Sequence, residues 1–154
     1  MVESRNLEFT QEITDGEARV LADRMAVQRL LAILLDNAVK YTPPPGAIEL
    51  RLEIRNESAV ITVRDSGIGI AQQDQRKIFE RFYRVDKARS RELGGVGIGL
   101  AIAEWIVEQH RGSIALQSLI GNGSSFTVFF PLQSKLAALV IRPESVVPAE
   151  ETQT

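Results

Sequence analysis

Asp65-Ser66-Gly67-Ile68-Gly69-Ile70 closes the alternating run Ala59-Val60-Ile61-Thr62-Val63-Arg64, and the fold is read outward from this join. The run has the period of two of a β-strand, so Ile61, Val63 and Asp65 share one face while Thr62 and Arg64 point the other way. An aspartate that ends an apolar row sits at the edge of a core, where a carboxylate is costly unless donors reach it. The two glycines that follow let another backbone, or a ligand, come close. A tight turn and a ligand site are both compatible with this segment alone.

Upstream, Ile48, Leu50, Leu52 and Ile54 alternate with Glu49, Arg51, Glu53 and Arg55, which predicts a strand over 47–55 with one buried and one wet face. Asn56-Glu57-Ser58 turns it into the strand ending at Asp65, an antiparallel hairpin. Before it, Val27, Leu30, Leu31, Leu34, Leu35 and Ala38 recur at spacings of three and four, the stripe of a core-facing helix over 24–41. Ile33, Asn37, Lys40 and Tyr41 form a second row about a quarter turn away. That row is either the solvated border of the stripe or the wall of a pocket. In a pocket, Asn37 is a neutral oxygen ligand suited to Mg²⁺, and Lys40 stands beside phosphate.

Downstream, Gly94-Gly95-Val96-Gly97-Ile98-Gly99-Leu100 opens a helical pattern carried by Ile98, Ile102, Trp105, Ile106 and Gln109. Glycines at a helix start expose unpaired N–H groups and the positive end of the dipole, which suits phosphate. A flexible loop capped onto a helix is the plainer alternative. The run is no P-loop, because Leu100 stands where Lys is required, and its spacing does not fit a dinucleotide fingerprint. Arg81, Arg84, Lys87, Arg89 and Arg91 crowd the segment before it, either a solvated loop or a lid whose cations meet a polyphosphate.

The remaining elements are a strand over 5–13, a short helix over 72–80, a helix over 98–110, and strands over 113–119 and 124–131 joined through Gly121-Asn122-Gly123. Together they predict an α+β fold: a two-layer α/β sandwich with a mixed, mostly antiparallel sheet and helices packed on one face. One domain is expected over 1–132. Residues 133–154, with Pro143, Pro148 and several Glu, read as a largely disordered tail in which Leu136 to Ile141 is the stretch able to dock.

Composition agrees with one compact soluble domain, since 154 residues at 44% hydrophobic suffice for a single core. A net charge of −2 gives no basis for nucleic-acid binding. No apolar run approaches the ~18 residues of a membrane span, and Met1-Val2-Glu3-Ser4-Arg5 begins no signal peptide. The absence of cysteine excludes disulfides and thiolate catalysis, and fits a cytoplasmic location.

Four stretches in order resemble the ATP-binding catalytic domain of sensor histidine kinases, within the GHKL ATPase superfamily and its Bergerat fold. Leu34-Leu35-Asp36-Asn37-Ala38-Val39-Lys40-Tyr41-Thr42-Pro43 is similar to the N box, and Asp65 to Ile70 to the first glycine box. Ile78-Phe79-Glu80-Arg81-Phe82-Tyr83-Arg84-Val85-Asp86 is similar to the F box, and Gly94 to Leu100 to the second glycine box. The resemblance covers roughly residues 5–132.

It implies roles position by position. Asp65 would accept the adenine amino group, and Gly67 and Gly69 would let the purine approach. Asn37 would bind Mg²⁺, Lys40 and Arg84 would meet the triphosphate, and Tyr41 would pack near ribose or phosphates. Gly95, Gly97 and Gly99 would let the lid close and offer backbone donors, with Leu100 completing the nucleotide-binding run. Phe79 and Phe82 would anchor the lid, Phe82 bordering the nucleotide. The cofactors implied are ATP and Mg²⁺. The partners implied are a histidine-bearing phosphoacceptor and dimerisation domain and a downstream response regulator.

The sequence departs from the family pattern twice. Ile33 stands one turn before Asn37, where hydrolysing members carry a Glu that activates water; Ile has no proton-accepting group. Val96 stands where relatives often have Thr, which removes one hydroxyl donor to phosphate. His110, the sole histidine, ends a helix, where the dipole favours it, rather than occupying a phosphoacceptor hairpin. Two alternatives remain beside the kinase domain: a module that senses ATP without transfer, and a GHKL serine kinase of the anti-sigma type.

Overall fold

The structure, a computed structural model, describes residues 6–14, 16–86 and 97–134. Strand β1 (Leu7–Ile13) leads to helix α1 (Arg24–Lys40), then β2 (Gly46–Arg55) and β3 (Ser58–Asp65). Two 3₁₀ turns follow, Gln72–Asp74 and Lys77–Phe79, then α2 (Gly99–Gln109), β4 (Ser113–Leu119) and β5 (Gly123–Pro131). The strands lie in the order β1-β2-β3-β5-β4. Only β1 and β2 run parallel; the other neighbouring pairs are antiparallel. A parallel pair cannot be joined by a hairpin, and α1 supplies the crossover.

The register carries the alternation into a core. Asp65, Val63 and Ile61 of β3 stand opposite Ile48, Leu50 and Leu52 on one side and Ser124, Phe126 and Val128 on the other. On this inner face Leu30, Leu34 and Ala38 of α1 and Ala103, Ile106 and Val107 of α2 complete one hydrophobic cluster with the strands. Leu30, Leu34 and Val107 are fully buried, each worth about 1.5–3 kcal/mol relative to an exposed side chain. Asp65 thus ends an apolar row beneath two helices, as the period of two requires. The predicted two-layer sandwich is the observed one.

Local caps set the helix ends. The Asp23 carboxylate accepts the N–H of Ala26 at 3.1 Å, which starts α1. At the end of α2, His110 donates from Nδ1 to the Ile106 carbonyl (2.7 Å) and accepts the Asp23 N–H at Nε2 (3.0 Å). A ring that accepts at Nε2 and donates at Nδ1 is neutral, so the helix dipole does not explain this histidine. It clips the end of α2 to the N-cap of α1.

The segment expected as a helix over 72–80 is instead the pair of 3₁₀ turns. Asp74, Gln75 and Glu80 donate to carbonyls three residues back, at Ala71, Gln72 and Lys77. Asp74 and Ile78 are both buried, and the Gln75 amide is drawn to the Ile70 and Ser118 carbonyls. These tertiary attachments hold two tight turns in place of one α-helix. The tail beyond Ser134, including Leu136 to Ile141, lies outside the described residues. Among the described residues no helix is long and apolar enough to cross a membrane.

Candidate nucleotide site

A cavity of about 610 Å³ opens between the second half of α1, the loop after β3, the segment 83–86 and the start of α2. Asp65 lies in its wall at 8% exposure. Its Oδ1 accepts the N–H of Gly67 at 2.8 Å and that of Ser124 at 3.3 Å, which leaves Oδ2 for the cavity. Burial pushes this carboxyl above its ordinary range, and the two N–H donors only partly offset that. A carboxylate held in this way suits a ligand that brings its own donor.

The two glycines after Asp65 let other backbone come close. A Cβ on Gly67 would meet the Tyr41 carbonyl oxygen at 2.2 Å, and one on Gly69 would meet the Leu119 carbonyl oxygen at 2.1 Å. Gly69 also has φ +73°. The loop is therefore pressed between the end of α1 and the β4–β5 turn. Backbone bonds from Ile68 N–H to Tyr41 O (3.1 Å) and from Gly121 N–H to Ile68 O (2.9 Å) stitch both contacts. Gly69 still lines the cavity, whereas Gly67 is not part of its wall.

Helix α1 contributes Ile33, Asp36, Asn37, Lys40 and Tyr41 to the same wall, which resolves the second row in favour of a pocket. Lys40 Nζ is held by Asp36 Oδ2 at 2.8 Å. Among the described residues the Asn37 side chain receives and makes no hydrogen bond, so its amide oxygen is available to a ligand or ion. Among the described residues no group of three acidic, histidine or cysteine side chains could hold a metal. A Mg²⁺ ion shared between Asn37, ligand oxygens and water would match the usual habit of this ion.

Opposite stand Tyr83, Arg84, Val85 and Asp86, with Gly97, Ile98, Gly99 and Leu100 at the start of α2. Helix α2 begins there, and its N-cap residue, Ile98, makes no side-chain cap hydrogen bond. Phe82 differs from expectation: its side chain is 73% exposed and outside the cavity wall. It contributes its backbone instead, donating its N–H to the Gly97 carbonyl at 2.8 Å. Its backbone has a positive φ of 67°. Phe79 packs edge-on against Phe126 within the core. Gly95, Val96 and the cations Lys87, Arg89 and Arg91 lie outside the described residues.

Sequence reasoning missed three polar residues that build this site. Ser118 accepts the Ile70 N–H at 2.8 Å and meets Ser124 Oγ at 2.9 Å, while the Ser124 N–H reaches Asp65. Asp74, 9% exposed, accepts the Tyr83 hydroxyl. Each acts across a long sequence gap or from a turn with no pattern of its own, so no local signal marked it.

A family model described as histidine kinase-, DNA gyrase B-, and HSP90-like ATPase matches residues 22–134. The chain belongs to this ATPase family. Its similarity to sensor histidine kinases is direct: 42% identity over 129 residues with RppB of Synechocystis, covering 84% of this chain and 28% of that protein. With WalK of Bacillus subtilis it is 38% over 137 residues, 88% of this chain and 22% of the other. The chain therefore spans about a quarter of the length of these curated relatives. Among solved structures, the catalytic domain of the histidine kinase ThkA aligns with a TM-score of 0.73 at 28% identity, covering 85% of this chain and 82% of that one. The full-length histidine kinase ShkA, solved with AMPPNP, aligns with a TM-score of 0.74 at 25% identity, covering 85% and 27%. A domain of this ATPase family binds nucleotide.

Proposed function

We propose that the chain is the ATP-binding catalytic domain of a sensor histidine kinase, which binds Mg-ATP and delivers the γ-phosphoryl to a histidine on a separate phosphoacceptor and dimerisation domain. One observation carries the reading: the buried carboxylate of Asp65, the amide of Asn37 and the start of α2 share one cavity. In this arrangement Asp65 accepts the adenine amino group, Lys40 and Arg84 meet phosphate oxygens, and the α2 N–H groups at Gly99 and Leu100 complete the anion cradle. Mg²⁺, held through Asn37, supplies charge neutralisation on the phosphates. The downstream partner is a response regulator, and use of ATP puts the domain in the cytoplasm.

Transfer needs an in-line nucleophile. His110 is not one, because both ring nitrogens are engaged, by Ile106 and by Asp23. Ile33 lines the cavity and cannot deprotonate water. The chain alone is thus expected to bind ATP with neither self-labelling nor rapid hydrolysis. A histidine-bearing hairpin supplied in trans with radiolabelled ATP should gain an acid-labile, base-stable label that Asn37→Ala abolishes. Steady hydrolysis by the isolated chain at several turnovers per second would overturn the reading in favour of an ATPase.

A further inference from the structure

Asp74 sits in the first 3₁₀ turn at 9% exposure, and among the described residues no cation pairs with it. The hydrogen bond found for its carboxylate is the one from the Tyr83 hydroxyl. A carboxylate sheltered without a cation is costly, so the phenol that reaches it is more than surface decoration. The same bond raises the Tyr83 phenol above its ordinary range, because the neighbouring carboxylate favours the protonated form.

Tyr83 begins the stretch Tyr83–Asp86, which walls the cavity but belongs to neither helix nor strand. Such a stretch has no ladder to fix its direction. Its start is held by Phe82 N–H to Gly97 O (2.8 Å) and by Tyr83 N–H to Glu80 O (3.3 Å). Arg84 comes next, half-buried in the wall, and among the described residues no carboxylate pairs with it. Fixing the Tyr83 ring against the 3₁₀ turn therefore fixes the point from which Arg84 departs.

We propose that Asp74 and Tyr83 form a latch that positions Arg84 for the phosphates, with Asp74 acting as a positioning residue that touches no ligand. This rests on the nucleotide reading of the cavity. The latch acts on the phosphate end of the site, whereas Asp65 and the loop after β3 are held by separate bonds to Tyr41, Ser118 and Ser124. Losing it costs affinity for phosphate and leaves affinity for the nucleoside alone.

The test is NMR titration of the full chain with Mg-ATP and with adenosine, alongside thermal unfolding. Tyr83→Phe removes only the hydroxyl and should weaken ATP by about three- to tenfold while adenosine stays within about twofold. Asp74→Ala should match it, and the double variant should be no worse than either, since both break one bond. Asp74→Asn keeps an acceptor oxygen for the phenol and should restore ATP affinity to within about twofold of the parent. Equal losses for ATP and adenosine, or a Tyr83→Phe chain that binds ATP like the parent, would overturn the latch and leave the site reading standing. A parent chain that binds no ATP would overturn both.

Discussion

Ser124, the second residue of β5, donates its N–H to Oδ1 of Asp65 at the end of β3, 3.3 Å away. With the Gly67 N–H on the same oxygen, the acid is oriented by backbone alone, and its burial outweighs both donors. The Asp65 carboxyl is thus raised above its ordinary value of 3.8. A folded-state value above the unfolded one means that the group's stabilisation is complete below the unfolded value and is lost as pH rises through the folded one. Raising the pH through that range therefore costs the empty domain stability at Asp65.

Asp65→Asn keeps the Oδ1 acceptor and removes the charge. The empty variant should unfold at pH 7 at a temperature equal to or above that of the parent, with the difference closing near pH 3.5, below the ordinary carboxyl value of 3.8. ATP affinity should fall ten- to a hundredfold, corresponding to about 1.5–3 kcal/mol for a charge-assisted hydrogen bond. Calorimetry with ATP and GTP, together with unfolding at both pH values, checks the pair. Unchanged ATP binding would remove Asp65 from the adenine pocket.

Asn37→Ala should weaken Mg-ATP far more than metal-free ATP, because its amide oxygen stands in the cavity wall and is suited to the ion. Affinity measured with magnesium and with a chelator separates the two. Equal losses would make Asn37 a packing residue.

Gly69 and Gly121 have similar backbones, φ +73° and +82°, but different surroundings. A Cβ on Gly121 meets nothing within 4 Å, while one on Gly69 meets the Leu119 carbonyl oxygen at 2.1 Å. Gly121→Ala should cost about 1 kcal/mol, the usual penalty for a left-handed alanine. Gly69→Ala should cost at least ~2 kcal/mol more, because backbone must move. Denaturant unfolding of both variants isolates the contact from the backbone strain; equal costs would mean that the β4–β5 turn yields freely.

The sheet was legible where alternation is strong, as in β2 and β3, whose register falls where the apolar rows of Ile48 and Ile61 place it. The insertion of β5 between β3 and β4 was not legible, because periodicity says which face is buried and nothing about which strand is next. Asp65 stood out because it ends an apolar row, and Asn37 because it lies in a row beside the apolar stripe; both stand in the cavity wall. Gly67 and Gly69 could be read as points of close approach, and the backbone that approaches is that of Tyr41 and Leu119, which the sequence did not name. Phe82 looked like an anchor by its aromatic ring, and it is its peptide N–H that holds. Ser118, Ser124 and Asp74 gave no local signal, since their partners come from elsewhere in the chain.

The hydrogen bond from Phe82 to Gly97 has a bearing on how this domain can diversify. It closes the neck of the excursion between the F box and α2, so whatever length of chain runs between them leaves and re-enters at a fixed gate. Closing a loop grows dearer only logarithmically, about 0.6 kcal/mol for each doubling. Insertions, deletions and changes of charge beyond that neck can therefore accumulate while the sheet, Asn37 and Asp65 stay in register.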